Sequence, residues 1–104
     1  MTLRIGDAAA AEALDAARWY EAHRPGLGDE FIAAVMAAGA QIAANPTAWP
    51  VWQPRAGRPI PIRRYVIQRF PFALLYQVLE DAIEIVAIAH SRRRPGYWRG
   101  RTGR

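Results

Sequence analysis

"FALLYQVLEDAIEIVAIAH", Phe72 to His90, decides the fold. Phe72–Val78 and Ile83–His90 are apolar runs, rich in aromatic and β-branched side chains and too short for ordinary helices, so both read as strands. Leu79 to Ala82, with Glu80 and Asp81 in its middle, is too short for anything but a turn between antiparallel neighbours. Upstream, "IPIRRYVI" (Ile60–Ile67) has the same period of two, with Pro61 near its start, where an edge strand tolerates it. "QRFP" turns the chain into Phe72. The C-terminal part is therefore a three-strand antiparallel meander.

The N-terminal part has a different period. "TLRI" (Thr2–Ile5) is a short alternating stretch suited to a first strand. Gly6 and Asp7 then punctuate, with Asp7 placed to cap a helix from Ala8 to about His23. "RPGLG" breaks that helix. A second follows from about Asp29 to Ala44, with Leu27, Phe31, Ala34, Val35, Ala38 and Ile42 on one face, and Asn45-Pro46 stops it. So short a loop makes the two helices an antiparallel hairpin. The fold class is α+β: a short N-terminal strand, then a helical hairpin packed on a small antiparallel sheet that ends in the three-strand meander. Residues 1–104 form a single domain, with a basic tail from about residue 91.

In the last strand Ile83, Ile85, Ala87 and Ala89 share one side, taken as the helix-facing one. Glu84, Val86, Ile88 and His90 share the other, which sends His90 to the open face. Alternation places one of Arg63 and Arg64 on each face. The one on the helix side needs a carboxylate such as Glu21 or Glu30 if it is buried. Trp49 and Trp52, in the proline-rich loop after the second helix, are expected to cover the edge of the core. Pro95-Gly96 folds the tail back onto the sheet, with Trp98 as its anchor. The expected outcome is a hollow lined by guanidinium groups on the uncovered side of the sheet.

The formal net charge is +5 and the isoelectric point about 10.7; all 14 basic side chains are arginine. Arginine grips carboxylates and phosphates and makes a poor general base, so the balance points to an anionic partner. With no cysteine in the chain, disulfides, thiolate metal sites and cysteine nucleophiles are excluded. Two histidines far apart in sequence, His23 and His90, make a metal site improbable on donor count, and no cofactor is expected. The N-terminal segment lacks the apolar core of a signal peptide, and a cytoplasmic protein without membrane association is expected.

Several segments together resemble the RelE/ParE superfamily of toxins from bacterial type II toxin–antitoxin modules. "WYEAHRPGLGDEF" (Trp19–Phe31) is similar to its helical hairpin and "NPTAWP" to the loop that follows. "IRRYVIQRFPFALLYQV" resembles its strand pair, and "VAIAHSRRRPGYW" its last strand and basic tail. The resemblance implies growth inhibition, a role in plasmid stabilisation, and neutralisation by a cognate antitoxin in a hetero-oligomer. Its branches imply different targets. RelE-like members cut messenger RNA on the ribosome, whereas ParE-like members act on DNA gyrase without hydrolysing RNA.

RNA cleavage needs a proton acceptor, a proton donor and cations for the charge that develops on phosphorus. His90, whose side-chain type titrates at about pH 6.5, together with Arg92, Arg93 and Tyr97, is the candidate catalytic set. It lacks the lysines or the carboxylate that such nucleases use. Glu84 shares His90's parity but lies ~20 Å along the strand at ~3.3 Å per residue. The favoured expectation is therefore the ParE-like one: a toxin that binds and inhibits a target such as DNA gyrase. Arg63, Arg64, Arg69, Arg92, Arg93, Arg94 and Trp98 are its candidate contacts with target or antitoxin. The alternatives are a metal-independent, ribosome-dependent endoribonuclease and a non-toxic basic RNA-binding module. A solvated run is the bland reading of Arg92–Arg94, and a carbonyl-bonded strand-end residue that of His90.

Overall fold

The computed structural model describes residues 2–52 and 60–102. Its elements run β1 (Thr2–Ile5), α1 (Asp7–His23), α2 (Leu27–Ala44), β2 (Arg63–Val66), β3 (Phe72–Val78), β4 (Ala82–His90) and a 3-10 turn at Arg99–Arg101. The sheet order is β1-β4-β3-β2. The meander is antiparallel as expected, and β1 adds to it parallel to β4, Thr2 opposite Ala82 and Ile5 opposite Ile85, so the sheet is mixed. Boundaries differ in detail. Gly6, not Asp7, caps α1 and offers no side chain; Asp7 is the first helical residue. Helix α2 starts at Leu27 because the Glu21 carboxylate of α1 accepts the Gly26 and Gly28 amides at 3.0–3.1 Å. This supplies an acceptor to donors that a helix start otherwise leaves unpaired. A side chain at Gly28 would meet the Ala17 carbonyl at 2.6 Å, so the two helices close on each other only with glycine there. The expected loop residues 53–59 lie outside the described residues.

Helix α2 carries no charge between Glu30 and Ala44, and its Phe31, Val35, Ala38 and Ile42 face is buried against the sheet. Tyr20 and Phe31 meet Phe70 and Phe72 at ring-centroid distances of 4.9–6.3 Å, an aromatic cluster that fixes the hairpin over the β2–β3 turn. Trp49 packs on Tyr65 at 4.9 Å and Trp52 on Trp98 at 5.9 Å, both covering core edges as expected.

One residue changes the reading of β4. Leu75 pairs with Ala87 but Tyr76 pairs with Ile85, so Val86 is an extra residue in the ladder, a β-bulge. Below it the expected faces hold: Ile83 and Ile85 face the helices. Above it they invert. Ile88 joins the helix-side core, while Ala87 joins Val86, which keeps its expected side, in a second apolar cluster on the opposite face, with Ala89 beside it. His90 consequently lies on the helix side, its ring 5.1 Å from that of Phe72, and not on the open face.

That face is largely filled. Ile62, Leu75, Val86 and Ala87 form a floor, and the tail lays Trp98 across it until only 1% of the indole is exposed. The Pro95-Gly96 turn takes the chain there: Gly96 has φ +83°, and a Cβ on it would strike the Arg99 guanidinium at 2.8 Å. The Trp98 anchor was expected; an open, guanidinium-lined floor was not found. Apolar groups of the chain itself occupy it. Trp98→Ala should cost about 3–5 kcal/mol of folding stability, the range for deleting a buried aromatic; urea unfolding of the variant beside the parent chain measures it.

Candidate functional site

The folded tail creates a junction at the edge of β4. Strand β1 covers that edge only as far as Ile85, and Gly6 donates the last bond, to the Ile85 carbonyl at 2.9 Å. Beyond it two side chains take over. Glu12 of α1 accepts the Ile88 amide at 3.0 Å, and Arg101 of the tail donates to the Val86 carbonyl at 3.0 Å. The pair then joins, Arg101 Nη1 and Nη2 lying 2.9 and 3.2 Å from the two Glu12 oxygens. The Tyr97 hydroxyl donates to the same carboxylate at 2.5 Å. Burial and the neighbouring carboxylate push the Tyr97 phenol far above its ordinary pKa, and the bond to Glu12 holds the Arg101 guanidinium in its charged form. Neither Glu12 nor Arg101 was singled out from the sequence. The available signal was that Glu12 falls at helical spacing on the face of Ala9, Ala13, Ala16 and Tyr20, where a charge needs a partner.

The expected site residues separate into three groups. Arg63 faces the helix side, as does Tyr65. It finds no carboxylate there and donates instead to the Thr47 and Trp49 carbonyls at 3.3 and 2.7 Å. Arg69 pairs with Glu30, which also takes Arg24 at 3.4 Å, and the two guanidiniums pull the Glu30 carboxyl below the usual range. Glu21 and Glu30 are therefore engaged elsewhere than at Arg63. Arg64, opposite Leu75, is the arginine on the open side; its guanidinium lies 5.9 Å from the Trp52 ring. Arg93 stacks on Tyr97 at 3.9 Å. Arg64, Arg93 and Arg94 line a small cleft of about 140 Å³ between β3 and the tail, with His90 and Tyr97 also on its wall. Arg92 and Arg93 sit in the turn that leaves β4, where the Arg92 amide donates to His90 Nδ1 and the Arg93 amide to the His90 carbonyl, each at 3.0 Å. Trp98 is buried and offers no contact surface.

Two of the catalytic candidates are already engaged. His90 looks to the helix side, with Nδ1 occupied by a backbone amide. The Tyr97 hydroxyl is bound to Glu12 beside the edge of β4, held neutral. Glu84, the remaining acid of the strand, accepts from Gln77 at 2.8 Å. Among the described residues no cluster of His, Asp and Glu suits a metal ion. On the helix side His90 helps line an apolar groove of about 510 Å³ with Ala16, Trp19, Tyr20, Pro71 and Phe72. Trp19 stands 59% exposed at its mouth, stacked on His23 at 3.8 Å.

A family model described as the ParE toxin of the type II toxin–antitoxin system parDE matches residues 3–95. The chain belongs to the ParE toxin family. Among solved structures, the chromosomal ParDE TA system from P. aeruginosa is similar to it, with a TM-score of 0.62 and 22% identity over 86% of this chain and 95% of that one. At that identity the likeness speaks for the shared fold. No curated protein matches the sequence. The matched ParE stretch stops at Pro95, so Tyr97, Trp98 and Arg101, which close the tail over the sheet, lie beyond it.

Two outcomes follow for this ParE-family chain. Glu12→Ala should cost about 2–3 kcal/mol, because it strands a partly buried guanidinium and an amide, and hydrogen exchange should show the Ile88 amide losing protection. Alkaline pH should also destabilise the fold. The Tyr20, Tyr76 and Tyr97 phenols are all raised above their ordinary value of 10.0. Their contribution is complete below that value and lost as pH rises above it. Tyr97→Phe should flatten the alkaline limb of a stability–pH curve.

Proposed function

We infer that this ParE-family chain stops growth by binding a target and not by cutting RNA, with DNA gyrase as the target, and that a cognate antitoxin neutralises it. One observation carries the reading: both groups that would exchange protons in a nuclease are already engaged. His90 Nδ1 accepts the Arg92 amide while its ring packs on Phe72, and Tyr97 is bound through its hydroxyl to Glu12. Arginines remain to stabilise charge, but a phosphoryl transfer without a poised acid or base loses most of its general acid–base assistance. Family membership supports the toxin role and the antitoxin partnership.

The groove at Trp19, Tyr20, Phe72 and His90 suits the apolar face of an antitoxin helix, laid as an amphipathic segment into a preformed channel. Its exposed indole is the kind of anchor around which binding energy concentrates.

Induction of the chain alone should arrest growth with filamentation, and the purified chain should inhibit supercoiling by gyrase. His90→Ala should leave both effects intact. Trp19→Ala should stay toxic yet escape a co-expressed antitoxin, weakening that complex by at least tenfold. Intact supercoiling in a molar excess of the chain, or messenger RNA cleavage that disappears with His90→Ala, would reverse the assignment in favour of the endoribonuclease.

A further inference from the structure

The charges of this chain are sorted in space. All nine acidic residues sit on the two helices or near the β3–β4 turn, the latter being Glu80, Asp81 and Glu84. Among the described residues, ion pairs engage Arg18, Arg24, Arg69 and Arg101. None engages Arg64, on β2, or Arg92, Arg93 and Arg94, where β4 passes into the tail. The small cleft between β3 and the tail shares Arg64, Ala73 and Ser91 with a neighbouring one of about 440 Å³ that runs along the β2–β3 turn. The two make one basic channel.

We propose that this channel is a binding site for the phosphodiester backbone of double-stranded DNA, with Arg64, Arg93 and Arg94 as its principal contacts. Three observations select that ligand. The apolar floor nearby is already filled by Trp98, so it offers no socket for a partner's side chain, and the apolar part of the channel is the rim at Val66, Pro71 and Phe72. An acidic peptide segment would look for apolar anchors as well as charges. Next, the aromatic rings along the channel are taken. Arg64 lies by the Trp52 ring and Arg93 covers Tyr97 at 3.9 Å. Single strands are held largely by stacking bases on free rings, and among the described residues the rings that line the channel, Trp52, Phe70, Phe72 and Tyr97, each pack on another ring or a guanidinium. Finally, two of the guanidiniums are placed in advance. Arg93 rests on a phenol that Glu12 clamps, so Glu12 and Tyr97 act as positioning residues for a phosphate contact. Guanidinium groups fixed in this way make paired bonds to phosphate oxygens at reduced entropic loss.

The site goes beyond the gyrase reading and does not need it: DNA binding is measured on the purified full chain without gyrase. Fluorescence anisotropy with a labelled duplex, repeated over a salt series, should give binding that is equal for two unrelated sequences. The slope of log affinity on log salt should be about −3 to −4, as expected for about four neutralised phosphates. Arg64→Ala with Arg94→Ala should make it shallower by about two. Arg4→Ala with Arg18→Ala, an equal loss of charge away from the channel, should leave it unchanged. Equal losses in the two double variants would mean diffuse attraction and overturn the site, as would no binding at low salt. Tighter binding of the matching single strand, or of an oligoglutamate peptide, would assign the channel to another ligand. A chain that inhibits gyrase without binding DNA loses this inference alone, and one that binds DNA but spares gyrase loses only the proposed target.

Discussion

The carboxylate of Glu12 is the constraint on which the arrangement depends. It serves the Ile88 amide of the sheet, the Tyr97 hydroxyl and the Arg101 guanidinium of the tail, and it belongs to the first helix. Three layers meet at one side chain: the hairpin above the sheet, the exposed flank of β4, and the segment folded beneath. A half-covered strand flank is an invitation to pair with another chain. Here it is closed by side chains in place of a strand, and the closure also fixes which way the tail lies. Trp98 then has a defined place to go, and the surface left to partners is divided into an apolar groove on one side and a basic rim on the other.

Much of the fold was legible because periodicity is a direct record of burial. The strand pair around Glu80-Asp81, the helical hairpin broken after His23 and the stop at Asn45-Pro46 each follow from local rules, and the structure keeps them. The parallel pairing of β1 with β4 was not legible, since four residues record no partner. Nor was the bulge at Val86. In "IVAIA" every position is apolar, so inserting a residue into the ladder leaves no break in the pattern. That silent insertion carried His90 to the wrong face and, with it, the geometry of the candidate site.

The site was harder to read for a related reason. Sequence shows which arginines exist but not which have found acceptors. Arg63 ends on loop carbonyls, Arg69 on Glu30, and Arg101 on Glu12, while Arg64 and Arg93 rest near aromatic rings. Identical in composition, they differ in whether any charge remains to be neutralised from outside. Glu12 was hidden by its setting, one acid among several in an alanine-rich helix, where a solvated carboxylate is the ordinary outcome.

The extra residue at Val86 has a consequence for comparing relatives. A homologue whose last strand runs without it would turn the side chain aligned with His90 toward the tail, and those aligned with Ala87 and Ile88 would likewise trade surroundings. Matching letters in a column would then describe opposite sides of the molecule. Inheritance of a role along this strand has to be judged by counting ladder rungs from the hairpin turn, because a gapless alignment preserves order along the chain and says nothing about orientation.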